Sequence, residues 1–513
     1  MEVALPTNEP AIHRLVDDIL EYIFLLNATP PPKWSRQVTD SDDQPTVEHA
    51  TTVASSQVCT RWRSIAFNCH AIWGLIIDYP RHSLRWIETL LDRSNPSPLD
   101  FGRRFKSIYL DDGRQGVLEL VFNHIDRFRI FSAQIPTSSW ERFFNLPAPN
   151  LEIIRASFDF SAEHLTHPLF YNHAPNLRIF RLSLRTSFCV VDLTSPVFTN
   201  LNELCVDNSQ ESGLFTILDW LNILGGMPSL RKVELYGAIS PGSPNDNFPF
   251  IHLDALDMLM VIAPLHECVT LVKHLIVPPR CGLNLRCDPA HAGFDQQQLW
   301  VIIERKITSW AKNDRLYVEA TINTLRFGNI PREDDGWESK EADPKMSISL
   351  YLSDLEETFL LFRSLFALFE PTFFDTRSLR LCVNIVIAES FTGSSLVDNF
   401  GGFVNLEKLE VWSDSLCTHL LSLLQHANPV LLPRLKSLYF NELSELDSIL
   451  RIADFLQWRR ERGFPLQKIN IIRHSRRIDR EYILSHIQDT VVEMGECYWE
   501  LKYCILHQPE TNW

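Results

Sequence analysis

The segment HAPNLRIFRLSL, residues 173–184, places apolar residues at alternate positions after a leucine. Leu177 is followed by Phe180 and Leu182, which gives the frame Leu-x-x-Φ-x-Φ, where Φ is an apolar residue. Side chains of a β-strand alternate between its two faces, so the Φ residues share one face and the x residues share the other. The segment therefore predicts a short strand that buries one face.

The same frame recurs along the chain, and its starts within each of two runs lie 24 to 31 residues apart. This spacing is at or slightly above that of leucine-rich repeats. The segment GLFTILDWLNILGGMP, residues 213–228, is typical of the intervening sequence, because it suits a helix that ends at a Gly-Gly pair. One strand and one helix cannot bury their own apolar surface, so neighbouring units must stack on each other.

We therefore predict an α/β protein in which residues 101–513 form an irregular leucine-rich-repeat-like α/β solenoid with a curved parallel sheet. Its strands should lie side by side, with helices outside and right-handed crossovers. The frame is weak between about 280 and 370, where IPREDDGWESKEADPK, residues 330–345, predicts an exposed acidic loop. The strands are expected to begin near Phe105, Leu151, Leu177, Leu201, Leu230, Leu406, Leu435 and Leu466.

The x positions of these strands are candidates for a binding surface. They point away from the buried face, and a stacked array displays them as one long surface that a partner can contact. The candidate residues for this face are Arg178, Arg181, Ser183, Asn202, Cys205, Lys232, Glu234, Glu407 and Glu410.

The N-terminal part has a different pattern. After a tail of residues 1–10, LVDDILEYIF (15–24) and SSQVCTRWRSIAFNCHAIW (55–73) each place apolar residues on one helical stripe, and Arg61 and Arg63 fall off it. Residues 27–50 are rich in Pro, Ser and Asp, which predicts a flexible insertion, and residues 79–100 are predicted to be a linker helix. Helices this short bury little surface alone, so they favour completion of the core by a partner.

Residues 11–78 resemble the F-box, especially that of the F-box proteins abundant in mushroom-forming fungi. Val16 and Asp17 stand where that family usually has prolines, and Ile72 replaces a leucine before the final tryptophan. The first helix of the family is matched by Leu15, Ile19, Leu20, Ile23 and Phe24. Its second part is matched by Val58, Cys59, Trp62, Arg63, Ile65, Ala66 and Trp73.

The resemblance implies a role as a non-catalytic receptor subunit. Residues 11–78 would dock on a Skp-type adaptor of a cullin-RING ubiquitin ligase, and residues 101–513 would bind a protein substrate for ubiquitination. Some of the implied adaptor-binding residues must also form the small core of the helices. These residues are Leu15, Ile19, Leu20, Ile23, Val58, Cys59, Trp62, Ile65 and Trp73.

The composition of the chain disfavours several classes of partner and of location. The 513 residues carry a formal net charge of −16, which disfavours general binding to nucleic acid or to an anionic membrane. The N-terminus lacks the features of a secretory signal, and no long uninterrupted apolar segment occurs, so we expect an intracellular protein of the cytoplasm or nucleus. The eleven cysteines include no Cys-x-x-Cys pair, which predicts free thiols and no bound metal.

Catalytic motifs are absent from the sequence. It contains no Gly-x-Ser-x-Gly, no phosphate-binding loop and no Gly-x-Gly-x-x-Gly. The segment HECVTLVKH, residues 266–274, has Thr270 where a zinc protease helix needs histidine. We therefore predict neither an enzyme nor a cofactor. Two alternatives stay open: a leucine-rich-repeat scaffold in a non-ligase complex, and an enzyme whose site has no recognisable motif.

Overall fold

The computed structural model describes residues 15–29, 47–102, 115–134, 142–158, 169–184, 192–208, 213–240, 247–288, 315–321, 324–329, 346–351, 376–383, 400–412, 414–427, 430–440, 446–474 and 491–497. The chain forms two compact units that divide between Leu256 and Asp257. The fold is mixed α/β with a large, mostly parallel sheet.

The first unit begins with five helices: α1 (Asp17–Ala28), α2 (Val47–Ser55), α3 (Thr60–Asn68), α4 (His70–Leu75) and α5 (Leu84–Arg93). Side chains cap two of them. The Cys59 sulfur accepts the Trp62 N–H at the start of α3, and the Ser83 hydroxyl accepts the Trp86 N–H at the start of α5. These caps satisfy backbone donors that have no partner within the helix.

Helices α1, α3 and α4 share a small core. Leu20, Phe24 and Ala28 form the buried stripe of α1, and the Phe24 ring meets Trp62 edge-to-face with centroids 5.3 Å apart. Ile65 and Trp73 are buried beside them. The helical region therefore has a core of its own.

The predicted linker helix belongs to this folded region. The Arg93 guanidinium at the end of α5 lies 4.8 Å from the ring centroids of Phe67 and Trp73. The buried Arg127 donates from Nη1 to the Leu91 carbonyl at 3.1 Å and from Nη2 to the Ser94 hydroxyl at 2.8 Å. Helix α5 is thus held on both sides.

Three predicted boundaries differ from the structure. Residues 27–28 belong to α1 and residues 47–50 belong to α2, so the predicted flexible insertion is too long at both ends. The Pro- and Asp-rich composition of the predicted insertion obscures the first turn of α2. In this turn the centroid of the His49 ring lies 6.3 Å from that of the Trp86 ring. The remainder of the insertion, residues 30–46, lies outside the described residues. The predicted end of the linker at residue 100 falls within a strand.

The strand that contains residue 100 is the first strand of the sheet in the first unit. Neighbouring strands of this sheet are parallel and follow chain order. The strands predicted at Leu151, Leu177, Leu201 and Leu230 are confirmed, and the one expected near Phe105 lies outside the described residues. The sheet strands are β1 (Leu99–Phe101), β2 (Phe128–Gln134), β3 (Ile153–Phe158), β4 (Ile179–Leu184), β5 (Glu203–Asp207) and β6 (Lys232–Tyr236). The unit also contains α6 (Gln115–Asn123), α7 (Ile217–Gly225), a short β7 (Ile251–His252), and 3-10 turns at 125–127, 169–172 and 196–198.

Each frame leucine is the buried end of a turn that leads into its strand. The Leu151 N–H donates to the Ala148 carbonyl at 3.1 Å, and the Leu177 N–H donates to the Ala174 carbonyl at 3.2 Å. The Asn176 side-chain amide reaches from its own turn to the Pro149 carbonyl of the preceding turn at 2.9 Å. The Ala-Pro-Asn-Leu motif therefore builds the turn and also joins it to its neighbour.

The second unit contains β8 (Met258–Pro264), α8 (Leu265–His274), β9 (Leu275–Ile276), β10 (Gly282–Asp288), β11 (Arg315–Ala320), β12 (Thr324–Asn329) and β13 (Met346–Tyr351). It continues with β14 (Ser378–Val383), β15 (Lys408–Val411), α9 (Asp414–His426), β16 (Ser437–Phe440), α10 (Leu446–Glu461), β17 (Lys468–His474) and β18 (Val491–Cys497). Its strand order is β8-β10-β13-β12-β11-β14-β15-β16-β17-β18. The parallel strands predicted at Leu406, Leu435 and Leu466 are confirmed.

One strand departs from the predicted parallel sheet. β12 runs antiparallel to both β11 and β13. Only residues 321–323 join β11 to β12, and the Thr321 N–H bonds to the Thr324 carbonyl at 2.8 Å. So short a connection permits an antiparallel hairpin, whereas a parallel neighbour needs a long crossover. The departure falls where the leucine frame is weak.

A further repeat was missed at Leu256. Its N–H donates to the Leu253 carbonyl at 3.1 Å, as in the other frame turns, and Leu259 and Val261 follow as buried strand residues. The sequence LDMLMV, residues 256–261, fits the frame, but it lies in a largely apolar segment in which the alternation is hard to recognise. Within the described ranges, no helix is both long and apolar enough to cross a bilayer.

Candidate functional site

Helix α1 has a second apolar face that points away from the core. Ile19, Tyr22 and Leu26 are 46%, 60% and 56% exposed, and Ile23 is half-buried between them. Their spacing of i, i+3, i+4 and i+7 places them on one side of the helix, opposite Leu20 and its buried stripe. Helix α1 is therefore apolar on two sides, and among the described residues only the side of Leu20, Phe24 and Ala28 is buried.

The start of α3 is tied to the start of α1. The Arg61 guanidinium lies 2.6 Å from the Asp17 carboxylate and also donates to the Leu15 carbonyl. Val58, one turn before Arg61, is exposed, as is Val16 just before α1. We call the exposed set the apolar helical surface. It consists of Val16, Ile19, Tyr22, Leu26 and Val58.

The structure divides the residues that the resemblance assigns to adaptor binding. Leu20, Ile65 and Trp73 are buried in the core of the helices, which is the role that the sequence left open beside adaptor binding. The reason is geometric, because adjacent residues such as Ile19 and Leu20 lie 100° apart around a helix and can face opposite sides. Ile19 and Val58 are exposed. The half-buried members are Leu15, Ile23, Cys59 and Trp62.

Three exposed residues of this surface were missed: Val16, Tyr22 and Leu26. The signal was present in the sequence, because Ile19, Tyr22, Ile23 and Leu26 follow a helical spacing of their own. The sequence-based interpretation placed Leu15, Ile19, Leu20, Ile23 and Phe24 on a single stripe. It thereby combined the exposed face of α1 with its buried face.

The polar face of the first unit's sheet carries an ionic row. Arg181, Cys205 and Glu234 lie in register on β4, β5 and β6. Arg181 is 3.2 Å from Glu203, and Lys232 is 2.9 Å from Glu234. The row brings together four of the candidates, Arg181, Cys205, Lys232 and Glu234, and Ser183 lies beside it on β4.

Three other candidates lie at the strand entrances instead. The Arg178 N–H donates to the Glu152 carbonyl at 2.8 Å, and the Asn202 N–H donates to the Arg178 carbonyl at 2.7 Å. Glu407 occupies the same position in the second unit, and its carboxylate is 2.9 Å from Lys436. Placing Arg178, Asn202 and Glu407 on the strand face was therefore wrong, because each precedes its strand and belongs to the turn.

The second unit places Glu410 at the centre of a different cluster. Arg380 on the neighbouring strand approaches it with two nitrogens, at 3.0 and 3.1 Å, and the Trp412 indole N–H donates to it at 2.7 Å. Glu410 is buried, so its charge is neutralised beneath the surface rather than presented to a partner.

The thiols on these faces are held in their protonated form. Burial, and then the nearby Glu234, raise the pKa of Cys205 above its ordinary range. Burial raises the pKa of Cys382 to about 11. Neither thiol is therefore a ready nucleophile near neutral pH. In the part of the chain that the structure describes, no group of three His, Cys, Asp or Glu residues could hold a metal ion.

Comparison with known proteins adds no assignment. No family model and no curated protein matches this sequence.

Proposed function

We propose that this protein is the substrate-recognition subunit of a Skp-cullin-F-box ubiquitin ligase. In this proposal the apolar helical surface docks on the Skp-type adaptor. The repeat region binds a protein substrate and brings it to the ligase. The chain itself performs no chemistry.

The observation that carries the proposal is the second apolar face of α1. Ile19, Tyr22 and Leu26 remain exposed although Leu20 and Phe24 already close the core of the helices. Exposed apolar sets of this kind are typical of surfaces that a partner covers. The sequence resemblance supplies the class of partner, and the exposed positions supply its contact residues.

The polar sheet faces support the second half of the proposal. Arg181 and Lys232 are half-buried and lie within an array of parallel strands whose other face is buried. Such arrays offer long surfaces that bind proteins through their exposed positions. A leucine-rich-repeat scaffold in a non-ligase complex would use the same surfaces, so the experiment must separate the two.

The test is binding of purified full-length protein to a Skp-type adaptor, followed by capture of cullin by the complex. Ile19→Ala with Leu26→Ala should weaken adaptor binding by tenfold or more, because truncation of a central interface residue typically costs roughly 2–4 kcal/mol. Leu218→Ala is the matched control, since Leu218 is an exposed leucine on helix α7.

The possible results separate the alternatives. Adaptor binding that is unaffected by the double variant would overturn the assignment of the surface. Capture of the adaptor without cullin would favour the scaffold in a non-ligase complex. Ubiquitination of a bound protein that depends on Ile19 and Leu26 would support the ligase.

A further inference from the structure

Strands β3 and β4 of the first unit carry the same alternating pattern, Ile-x-Arg-x-Ser, and the residues between are buried in the core. The register of the two strands places isoleucine beside isoleucine, arginine beside arginine and serine beside serine. We call these six side chains the Ile-Arg-Ser patch. They are Ile153, Arg155, Ser157, Ile179, Arg181 and Ser183.

The patch is open to solvent and narrow. Arg155 is exposed, and the other five side chains are half-buried. On β2 the residues in register with the patch, Ile130, Ser132 and Gln134, are buried. On β5 Glu203 is in register with the isoleucines, so the apolar row ends there. The patch therefore spans two strands about 5 Å apart, which is the width of one extended segment.

The two arginines differ in how their charge is balanced. Arg181 lies 3.2 Å from Glu203 and 4.0 Å from Glu234. Within the described part of the chain, no ion pair or side-chain hydrogen bond engages Arg155. Partial burial and then Arg181 lower the pKa of Arg155, and the attraction of Glu203 opposes them only in part. Like charges side by side on neighbouring strands destabilise a sheet, so an anion at Arg155 would relieve a repulsion.

We propose that the Ile-Arg-Ser patch binds an extended segment of a partner protein in which a carboxylate side chain and an aliphatic side chain are two positions apart. Arg155 and Ile153 are two residues apart on one strand, which is about 6.6 Å, and residues i and i+2 of an extended segment share one face at the same spacing. The Arg155 guanidinium accommodates both oxygens of the carboxylate. Ile153 and Ile179 contact the aliphatic side chain.

The charges around the patch favour a carboxylate over a phosphate ester or a nucleic acid. Arg155 supplies one unbalanced positive charge, and Glu203 and Glu234 stand on the next two strands. One negative charge is therefore balanced, whereas a phosphoryl group carries nearly two. Polynucleotide binding depends on neutralising many phosphates, and the net charge of −16 opposes a polyanion.

The test measures binding of labelled peptides to the full-length protein by fluorescence anisotropy. The first peptide carries Leu-Ser-Glu-Ser-Leu, which places a leucine two positions from the glutamate in either chain direction. The second has glutamine in place of glutamate, and the third carries Ser-Leu-Glu-Leu-Ser, which has the same composition but puts the leucines on the opposite face from the glutamate. The first peptide should bind about tenfold more tightly than either of the others, and its binding should weaken as salt is raised.

Variants locate the binding on the patch. Arg155→Gln should remove the preference for the glutamate peptide over the glutamine peptide, whereas Arg155→Lys should retain part of it. Ile153→Ser should weaken the first peptide but not the third. Arg85→Gln, at an exposed arginine of helix α5, is the matched control.

Three results would overturn the proposal. One is equal binding of the glutamate and glutamine peptides, and another is a preference for glutamate that persists in Arg155→Gln. The third is tighter binding of a peptide with phosphoserine in place of glutamate, or of a single-stranded oligonucleotide, than of the first peptide.

The inference rests on the proposed function for its choice of a protein partner, but its failure is distinguishable. The peptide assay contains no adaptor, and the Ile19 and Leu26 variants leave the patch unchanged. Loss of adaptor binding with intact peptide binding, or the reverse, therefore identifies which proposal fails.

Discussion

The indole N–H of Trp73 in α4 donates a 2.8 Å hydrogen bond to the backbone carbonyl of Ala66 in α3. Both residues are buried, and Cys69 ends one helix and begins the next between them. Helices of nine and six residues are too short to persist alone in water. Trp73 therefore holds the two helices together, which is a role in folding.

Replacing Trp73 with alanine should destabilise the helical region by about 3–5 kcal/mol, because it removes a buried aromatic side chain and leaves a cavity. Trp73→Phe should cost less, since the ring is largely kept and the hydrogen bond to Ala66 is lost. Protection of the α3 and α4 amides from hydrogen exchange is the measurement. Equal protection in both variants would contradict a packing role for Trp73.

Leu20 and Ile19 are adjacent in sequence, but truncation of each should change the stability of the protein by very different amounts. Leu20→Ala removes a fully buried side chain and should lower the free energy of unfolding by about 2–5 kcal/mol. Ile19→Ala should change it by no more than about 0.5 kcal/mol, because Ile19 faces solvent. Chemical denaturation of both variants checks the division. Similar losses would show that the two faces of α1 are not distinct in solution.

Asn176 should stabilise the repeats through its link to the preceding turn. Asn176→Asp keeps the size of the side chain but removes the N–H donor that reaches the Pro149 carbonyl. We expect a loss of about 0.5–1.5 kcal/mol in thermal or denaturant unfolding, the usual net value of one hydrogen bond. Asn222→Asp, at an exposed position of α7, serves as the control. An unchanged midpoint for Asn176→Asp would mean that the link between turns adds no stability.

Cys69 should be slow to react with alkylating reagents. Burial, opposed by backbone hydrogen bonding and reinforced by Glu21, raises the pKa of its thiol from 9.0 to about 11. At pH 8 the thiolate fraction then falls from about 10% to about 0.1%, and alkylation slows by roughly 100-fold. Mass spectrometry after timed alkylation at several pH values measures this. Reaction at the rate of an ordinary exposed thiol would contradict it.

The same shift predicts how stability changes with pH. The Cys69 thiol of the unfolded chain loses its proton near pH 9, before that of the folded chain near pH 11. Folding therefore favours the protonated thiol, and its contribution to stability is complete below pH 9 and is lost as the pH rises to about 11. Cys69→Ser should reduce this loss between pH 9 and 11 in denaturant unfolding.

Much of the strand arrangement could be predicted from the sequence. Leu177 with Phe180 and Leu182 specifies a strand with one buried face, because strand side chains alternate with a period of two. Repetition of that frame predicts parallel neighbours, since each strand needs a long crossover before the next. The antiparallel direction of β12, by contrast, depends on the three-residue connection at 321–323, which lies where the frame is weak.

Whether an apolar side chain packs in the core or faces solvent was decided only by the tertiary structure. The sequence by itself determined that α1 is an amphipathic helix, that the frame leucines are buried and that the chain is acidic. It did not divide Leu20 from Ile19, because helical spacing identifies apolar positions but not which side the rest of the chain covers. Nor did it distinguish Arg155 from Arg181, since the frame fixes the place of an arginine on its strand but not which carboxylate its guanidinium reaches.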